Sequence, residues 1–168
     1  MKKITIVFLY VIALTFTVLS CSKDDDNTEK TPANYYSLGD TKITNISYAA
    51  YSNNSSSGYI LILAQNVPTG DVYNYDHLYL EIPVEQLDGQ KIDLSKTYSY
   101  GWFPYGRIRL GDLFYEWKDN NGYKLTGTDN WMKITKSEDN NFTIEVNLTV
   151  DGKLVKAYYK GKFQKIDR

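Results

Sequence analysis

The chain has 168 residues, of which 42% are apolar and 15% aromatic, and its 19 basic and 20 acidic side chains give a formal net charge of −1. A single cysteine and a single histidine exclude a disulfide scaffold, a thiolate metal site and any centre built on paired histidines. No basic run supplies the electrostatic footprint that nucleic-acid binding requires.

Residues 1–20 read as an export signal. Lys2 and Lys3 precede an uncharged, mostly apolar stretch, residues 4–19, and the small Ser20 stands before Cys21. At about 1.5 Å per residue that stretch reaches roughly 24 Å, short of a hydrocarbon core of about 30 Å. It also contains Thr5, Thr15 and Thr17, so a permanent transmembrane anchor is the weaker reading. An ordinary cleaved signal would leave Cys21 as an exposed, unpaired thiol in an exported protein. Val18-Leu19-Ser20-Cys21 resembles the lipobox of bacterial lipoproteins. That resemblance implies a thioether-linked diacylglycerol on the Cys21 sulfur and, commonly, an acyl chain on its amine. One acyl chain binds a membrane marginally at about 0.8 kcal/mol per methylene, so two or three make the attachment lasting.

Ser22-Lys23-Asp24-Asp25-Asp26 follows, and this run resembles the acidic surface-export signal of Bacteroidetes lipoproteins. The resemblance makes Lys23, Asp24, Asp25 and Asp26 an export signal on the outer membrane; the plain alternative is a solvated charged linker. Removing residues 1–20 takes away two lysines, leaving 17 basic against 20 acidic residues and a formal balance of −3. Residues 21–34 are polar and charged, the composition of a lipidated, flexible tether. Residues 35–168 have the length of one domain with its own core.

Within that domain the hydrophobic period is two. Strands are predicted at Tyr35–Leu38, 42–51, Gly58–Ala64 (a nearly continuous apolar run), His77–Ile82, 107–117 and Trp131–Lys136. Turn chemistry separates them at residues 52–57, Pro68-Thr69-Gly70, Asp88-Gly89, 119–122 and 137–141. Only residues 84–87 have room for a short helical turn. From Phe142 to Val150 every even position is apolar and every odd one polar. Asp151-Gly152 then supplies a tight hairpin turn, and Val155, Ala157, Tyr159 and Phe163 return on the inner face. Gly161 on that face marks a bulge or a bend. Ile144, Val146, Leu148, Ala157, Tyr159 and Phe163 are the expected core of this hairpin.

The fold class is therefore all-β: a single antiparallel β-sandwich, or an up-and-down barrel of lipocalin type, with about eight strands. The Gly-x-Trp signature of lipocalins is missing near the first strand. The opening Asn34-Tyr35-Tyr36-Ser37-Leu38-Gly39-Asp40 and the closing hairpin, residues 143–163, resemble small β-rich surface lipoproteins of Bacteroidetes. That resemblance implies no activity that can be transferred to particular residues.

Chemistry-bearing motifs are sparse. There is no Gly-x-Ser-x-Gly elbow, no phosphate-cradling glycine loop and no His-Glu-x-x-His. His77 reads as a strand-end residue. Asp76, Glu81, Glu85, Asp112 and Glu116 lie on or near strands, and two of them could pair across a cleft as in glycosidases. Asp119-Asn120-Asn121-Gly122 and Asp129-Asn130 offer oxygen ligands, but Lys124 and Asn130 stand where a calcium loop needs Gly and Glu. No metal and no cofactor are expected.

Aromatic residues are the distinctive group. Tyr98, Tyr100, Trp102, Phe103 and Tyr105 crowd around Gly101, Pro104 and Gly106, and Tyr73-Asn74-Tyr75-Asp76 forms a smaller cluster. Rings beside Asn and Asp suit stacking on the apolar face of a pyranose while the amides and carboxylates take its hydroxyls. They equally suit a protein partner or a place in the core. The expected function is a non-enzymatic, lipid-anchored protein of the outer-membrane surface. It would bind a glycan or protein through Tyr73, Tyr75, Tyr98, Tyr100, Trp102 and Tyr105. The rivals are an envelope structural protein with no small ligand and, more distantly, a two-carboxylate hydrolase.

Overall fold

The structure, a computed structural model, describes residues 33–167 except 55–57, 71–73, 95–103 and 120–121; of residues 54, 118, 119, 122 and 123 only the backbone is described. Cys21, Lys23, Asp24, Asp25, Asp26, Tyr73, Tyr98, Tyr100 and Trp102 lie outside the described residues.

Alternating side chains make two six-stranded sheets that pack face to face as a β-sandwich, not a closed barrel. The first sheet contains β1 (Tyr35–Leu38), β2 (Thr41–Ile43), β6 (Asp88–Asp93), β11 (Trp131–Lys136), β12 (Asn141–Val150) and β13 (Lys153–Lys162), in the order β2-β1-β13-β12-β11-β6. The second contains β3 (Tyr48–Asn54), β4 (Gly58–Ala64), β5 (His77–Ile82), β7 (Tyr105–Leu110), β8 (Leu113–Glu116) and β14 (Gln164–Lys165), in the order β14-β3-β4-β5-β7-β8. A small hairpin of β9 (Lys118–Asp119) and β10 (Gly122–Tyr123) follows the second sheet's edge. Among the described strands all pairings are antiparallel except the two-residue match of β14 with β3.

The core fills the space between the sheets. Ile144, Val146, Leu148, Val155 and Ala157 of the first sheet share one buried cluster with Leu61, Leu63, Leu78, Leu80 and Ile108 of the second. Each of the valine, leucine and isoleucine side chains contributes roughly 1.5–3 kcal/mol on leaving water. Asp151 and Gly152 turn the β12–β13 hairpin at φ of 47° and 76°, and ten consecutive pairs follow without a break.

Several expectations are corrected. The run 42–51 is two strands in different sheets, because residues 44–47 carry the chain across the core. The run 107–117 is a hairpin, folded at Gly111 (φ 59°) and Asp112. Asp88-Gly89 does not separate strands but opens β6; Gly89 takes φ of 81° beside a register shift between Lys133 and Thr135, a bulge rather than a turn. Gly161 carries no bulge, since its pairing with Phe142 is in register. It stands just before Phe163, where the chain leaves the first sheet for β14 in the second. The described residues hold fourteen strands against the expected eight, because the runs 42–51 and 107–117 each divide in two, β6 is added, and β9, β10 and β14 are only two residues long. Such lengths leave no period to read. Residues 84–86 form the short 3-10 turn.

Candidate functional site

The two sheets differ on their outward faces. On the first, β12 alternates strictly between buried and part-exposed positions, as a solvated face requires. On the second, Ala50, Ser52, Ile62, Ala64, His77, Tyr79 and Arg107 point away from the core, yet each is at most 6% exposed. Ile62 and Tyr79 form a small apolar cluster there with Tyr48, Ile60, Tyr105 and Ile166.

Tyr105, the last ring of the aromatic segment, stands on this outward face. Antiparallel pairing sets it opposite Glu81, places Arg107 between Tyr79 and Glu116, and brings His77 opposite Arg109. The half-buried Tyr105 hydroxyl donates to Glu116 Oε1 at 2.6 Å, and its ring meets Tyr79 edge-on at 6.0 Å. Burial and the Glu116 bond both hold the hydroxyl protonated well above the usual tyrosine range, against a weaker pull from Arg107. The Arg107 guanidinium lies over the Tyr79 ring, 4.2 Å from its centroid. Its Nε donates to His77 Nε2 at 3.4 Å.

That bond fixes the histidine. Arginine has no acceptor, so His77 Nε2 receives the hydrogen and Nδ1 carries the ring proton, donating to the Tyr75 carbonyl at 2.7 Å. His77 is completely buried; burial above all, then Arg107 and Arg109, push its pKa down, against the Tyr75 carbonyl. Both ring nitrogens are occupied, so His77 orients Arg107 instead of accepting a substrate proton. Because the folded pKa lies below the unfolded value of about 6.5, the unfolded chain binds the extra proton. The stabilisation is complete above that value and falls as pH drops from about 6.5 toward the folded pKa. Urea melts between pH 8 and pH 5 should show this loss in the wild type and a shallower one in His77→Gln. Equal pH slopes in the two proteins would show that His77 does not titrate in this way.

Other named residues have structural employment. The Tyr75 hydroxyl meets Thr69 three times, through Oγ1 at 2.7 Å, the carbonyl at 3.0 Å and the amide at 3.3 Å, which ties the two residues together. Tyr75 joins the His77 end of β5, whereas Tyr105 pairs with Glu81, four residues or roughly 13 Å along that strand. Asp76 caps the β7–β8 turn, its Oδ1 accepting from the Gly111 amide at 2.7 Å. Asn130 is buried and bonds the Thr126 and Gly127 carbonyls and the Thr149 amide, which makes it a loop staple. Among the described residues no group of three His, Cys, Asp or Glu stands together as a metal site.

Sequence reasoning singled out Tyr105 and missed Tyr79 and Arg107. A faint signal was present: the unbroken apolar run of β4 is the pattern of a strand buried on both faces. No protein-family model, curated protein or solved structure matches this chain.

Proposed function

We propose that this is a non-enzymatic lipoprotein of the outer-membrane surface, lipidated at Cys21, which binds an extracellular glycan or protein through its aromatic segment, residues 98–105. The observation that carries the binding role is the position of Tyr105. This residue stands on the outward face of the second sheet, beside Tyr79, Arg107 and Glu116. An aromatic edge next to a guanidinium and a carboxylate suits a ligand that offers both apolar faces and hydroxyl or amide groups. The sequence from Lys2 to Asp26 supports the anchor and the surface address.

Three experiments test it. Mass spectrometry of the N-terminal peptide should find a diacylglycerol-modified Cys21; an unmodified cysteine, or cleavage further along, rejects the anchor. A glycan array and a pull-down should lose their signal when Trp102→Ala, Tyr100→Ala and Tyr105→Ala are combined in a variant with an unchanged melting curve. Binding that survives the loss of all three rings rejects the aromatic platform. Replacing Asp24, Asp25 and Asp26 by alanine should reduce protease access to the protein on intact cells, and unchanged access rejects the export signal.

A further inference from the structure

The first sheet separates charge in a way that composition conceals. The chain is nearly neutral, yet the outward strand positions of this sheet carry six lysines: Lys42, Lys91, Lys133, Lys156, Lys160 and Lys162. Only Asp88, Asp93 and Glu145 oppose them on those strands. Cross-strand register produces the clustering: on β13 the outward series reads Lys156, Tyr158, Lys160, Lys162, and β1 sets Tyr35 opposite Tyr158. Lys133 is paired with Glu145 at 3.4 Å, and Lys42 lies over the Tyr35 ring at 4.1 Å. Lys156, Lys160 and Lys162 are exposed, with no ion pair among the described residues.

Beside this basic ladder stands a ring that a merely solvated face does not need. Trp131 is outward, pairs with Asp93 and Asn147, and is only partly buried. A groove of about 320 Å³ opens next to it, lined by Lys91, Asp93, Thr128, Asp129 and Asn130. Lys91 Nζ lies 4.9 Å from the ring centroid and 3.6 Å from Asp129 Oδ1, so the cation nearest the ring is paired. Two strand spacings, roughly 10 Å, separate β11 from β13.

We propose that this face is a second binding surface, for an acidic polysaccharide. Sugar rings stack on Trp131 and Tyr158, their hydroxyls meet Asp93, Asp129 and Asn147, and carboxylate or sulfate groups on neighbouring sugars meet Lys156 and Lys160. Charge complementarity selects the polymer, and the flat aromatic groups distinguish it from other polyanions. The surface is independent of Tyr105, which lies on the other sheet.

The test uses the mature chain and measures binding to polygalacturonate, chondroitin sulfate, neutral dextran, single-stranded DNA and anionic lipid vesicles, each at low and high salt. At least one acidic polysaccharide should bind, and dextran should not. Lys156→Glu with Lys160→Glu should weaken that binding about tenfold, given two exposed charge contacts reversed together. These positions are exposed, so the variant should keep the wild-type melting curve. Trp131→Ala should weaken it several-fold at high salt, where charge is screened. Trp102→Ala should leave it unchanged, which separates this surface from the aromatic segment. No binding to either acidic polymer overturns the proposal. DNA or vesicle binding as tight as polysaccharide binding, indifferent to Trp131→Ala, also overturns it and leaves an unselective basic face.

Discussion

Phe163→Ala is expected to destabilise the protein by about 3–5 kcal/mol, the cost of emptying a well-packed aromatic site. Phe163 is 1% exposed and sits where the chain passes from β13 to β14. Its ring centroid is 4.8 Å from that of Phe142 and 5.2 Å from that of Tyr159, and its amide donates to the Asn140 carbonyl at 2.9 Å. Loss of the ring therefore opens a cavity and loosens the crossing that joins the two sheets. Lys160→Ala, three residues earlier and exposed, should change stability by no more than about 0.5 kcal/mol. Ile144→Ala, fully buried and paired with Tyr159, should cost about 2–5 kcal/mol without touching the crossing. Urea unfolding of the three variants checks the set. If Lys160→Ala proved as costly as Phe163→Ala, the inward and outward faces of β13 would be reversed.

The parts of this fold that could be read in the sequence are those where neighbouring positions carry the information. Between Phe142 and Phe163 strict alternation and the Asp151-Gly152 turn specify two strands, their faces and their register. Ile144, Val146, Leu148, Ala157, Tyr159 and Phe163 are all buried as that pattern predicts. The pattern fails where a turn is short and strand-forming residues flank it closely. Leu110 and Leu113 stand on either side of Gly111-Asp112, so β7 and β8 read as one strand where there are two. The choice of sandwich over barrel rests on distant pairings, β1 with β13 and β14 with β3, which no local period encodes.

The site follows the same division. Aromatic density drew attention to Tyr105, but its partners come from register: Arg107 is two residues along the strand, Tyr79 and Glu116 are on neighbouring strands, and His77 reaches Arg107 across the sheet. Likewise the lysines of the first sheet are scattered from Lys42 to Lys162 in the sequence. Only the order β2-β1-β13-β12-β11-β6 gathers them on one face.

Gly106→Ala is the second substitution expected to be severe, and it connects the core to the outward site. Gly106 is an inward position of β7, opposite Leu80, with Tyr105 and Arg107 pointing outward on either side. The Trp117 ring lies directly against it: a Cβ there would stand 1.9 Å from Cζ2, 2.3 Å from Cη2 and 2.6 Å from the Tyr79 carbonyl oxygen. Trp117 is completely buried, and its amide donates to the Gly106 carbonyl at 3.3 Å, so the ring cannot step aside without disturbing the strand beneath it. Overpacking usually costs 1–3 kcal/mol, and the contact with backbone as well as ring puts this site at about 3 kcal/mol or more. Trp117→Leu alone should cost a few kcal/mol by leaving a cavity. Combined with Gly106→Ala it should cost clearly less than the two separate effects added, because the new methyl group then occupies space the indole has vacated. The relief is partial, since the Tyr79 carbonyl remains. Strict additivity in urea melts would mean that Trp117 is not what the glycine accommodates. Where the double variant folds, the Tyr105 side chain should regain its place beside Glu116, and the binding proposed for the outward face should match that of the wild type.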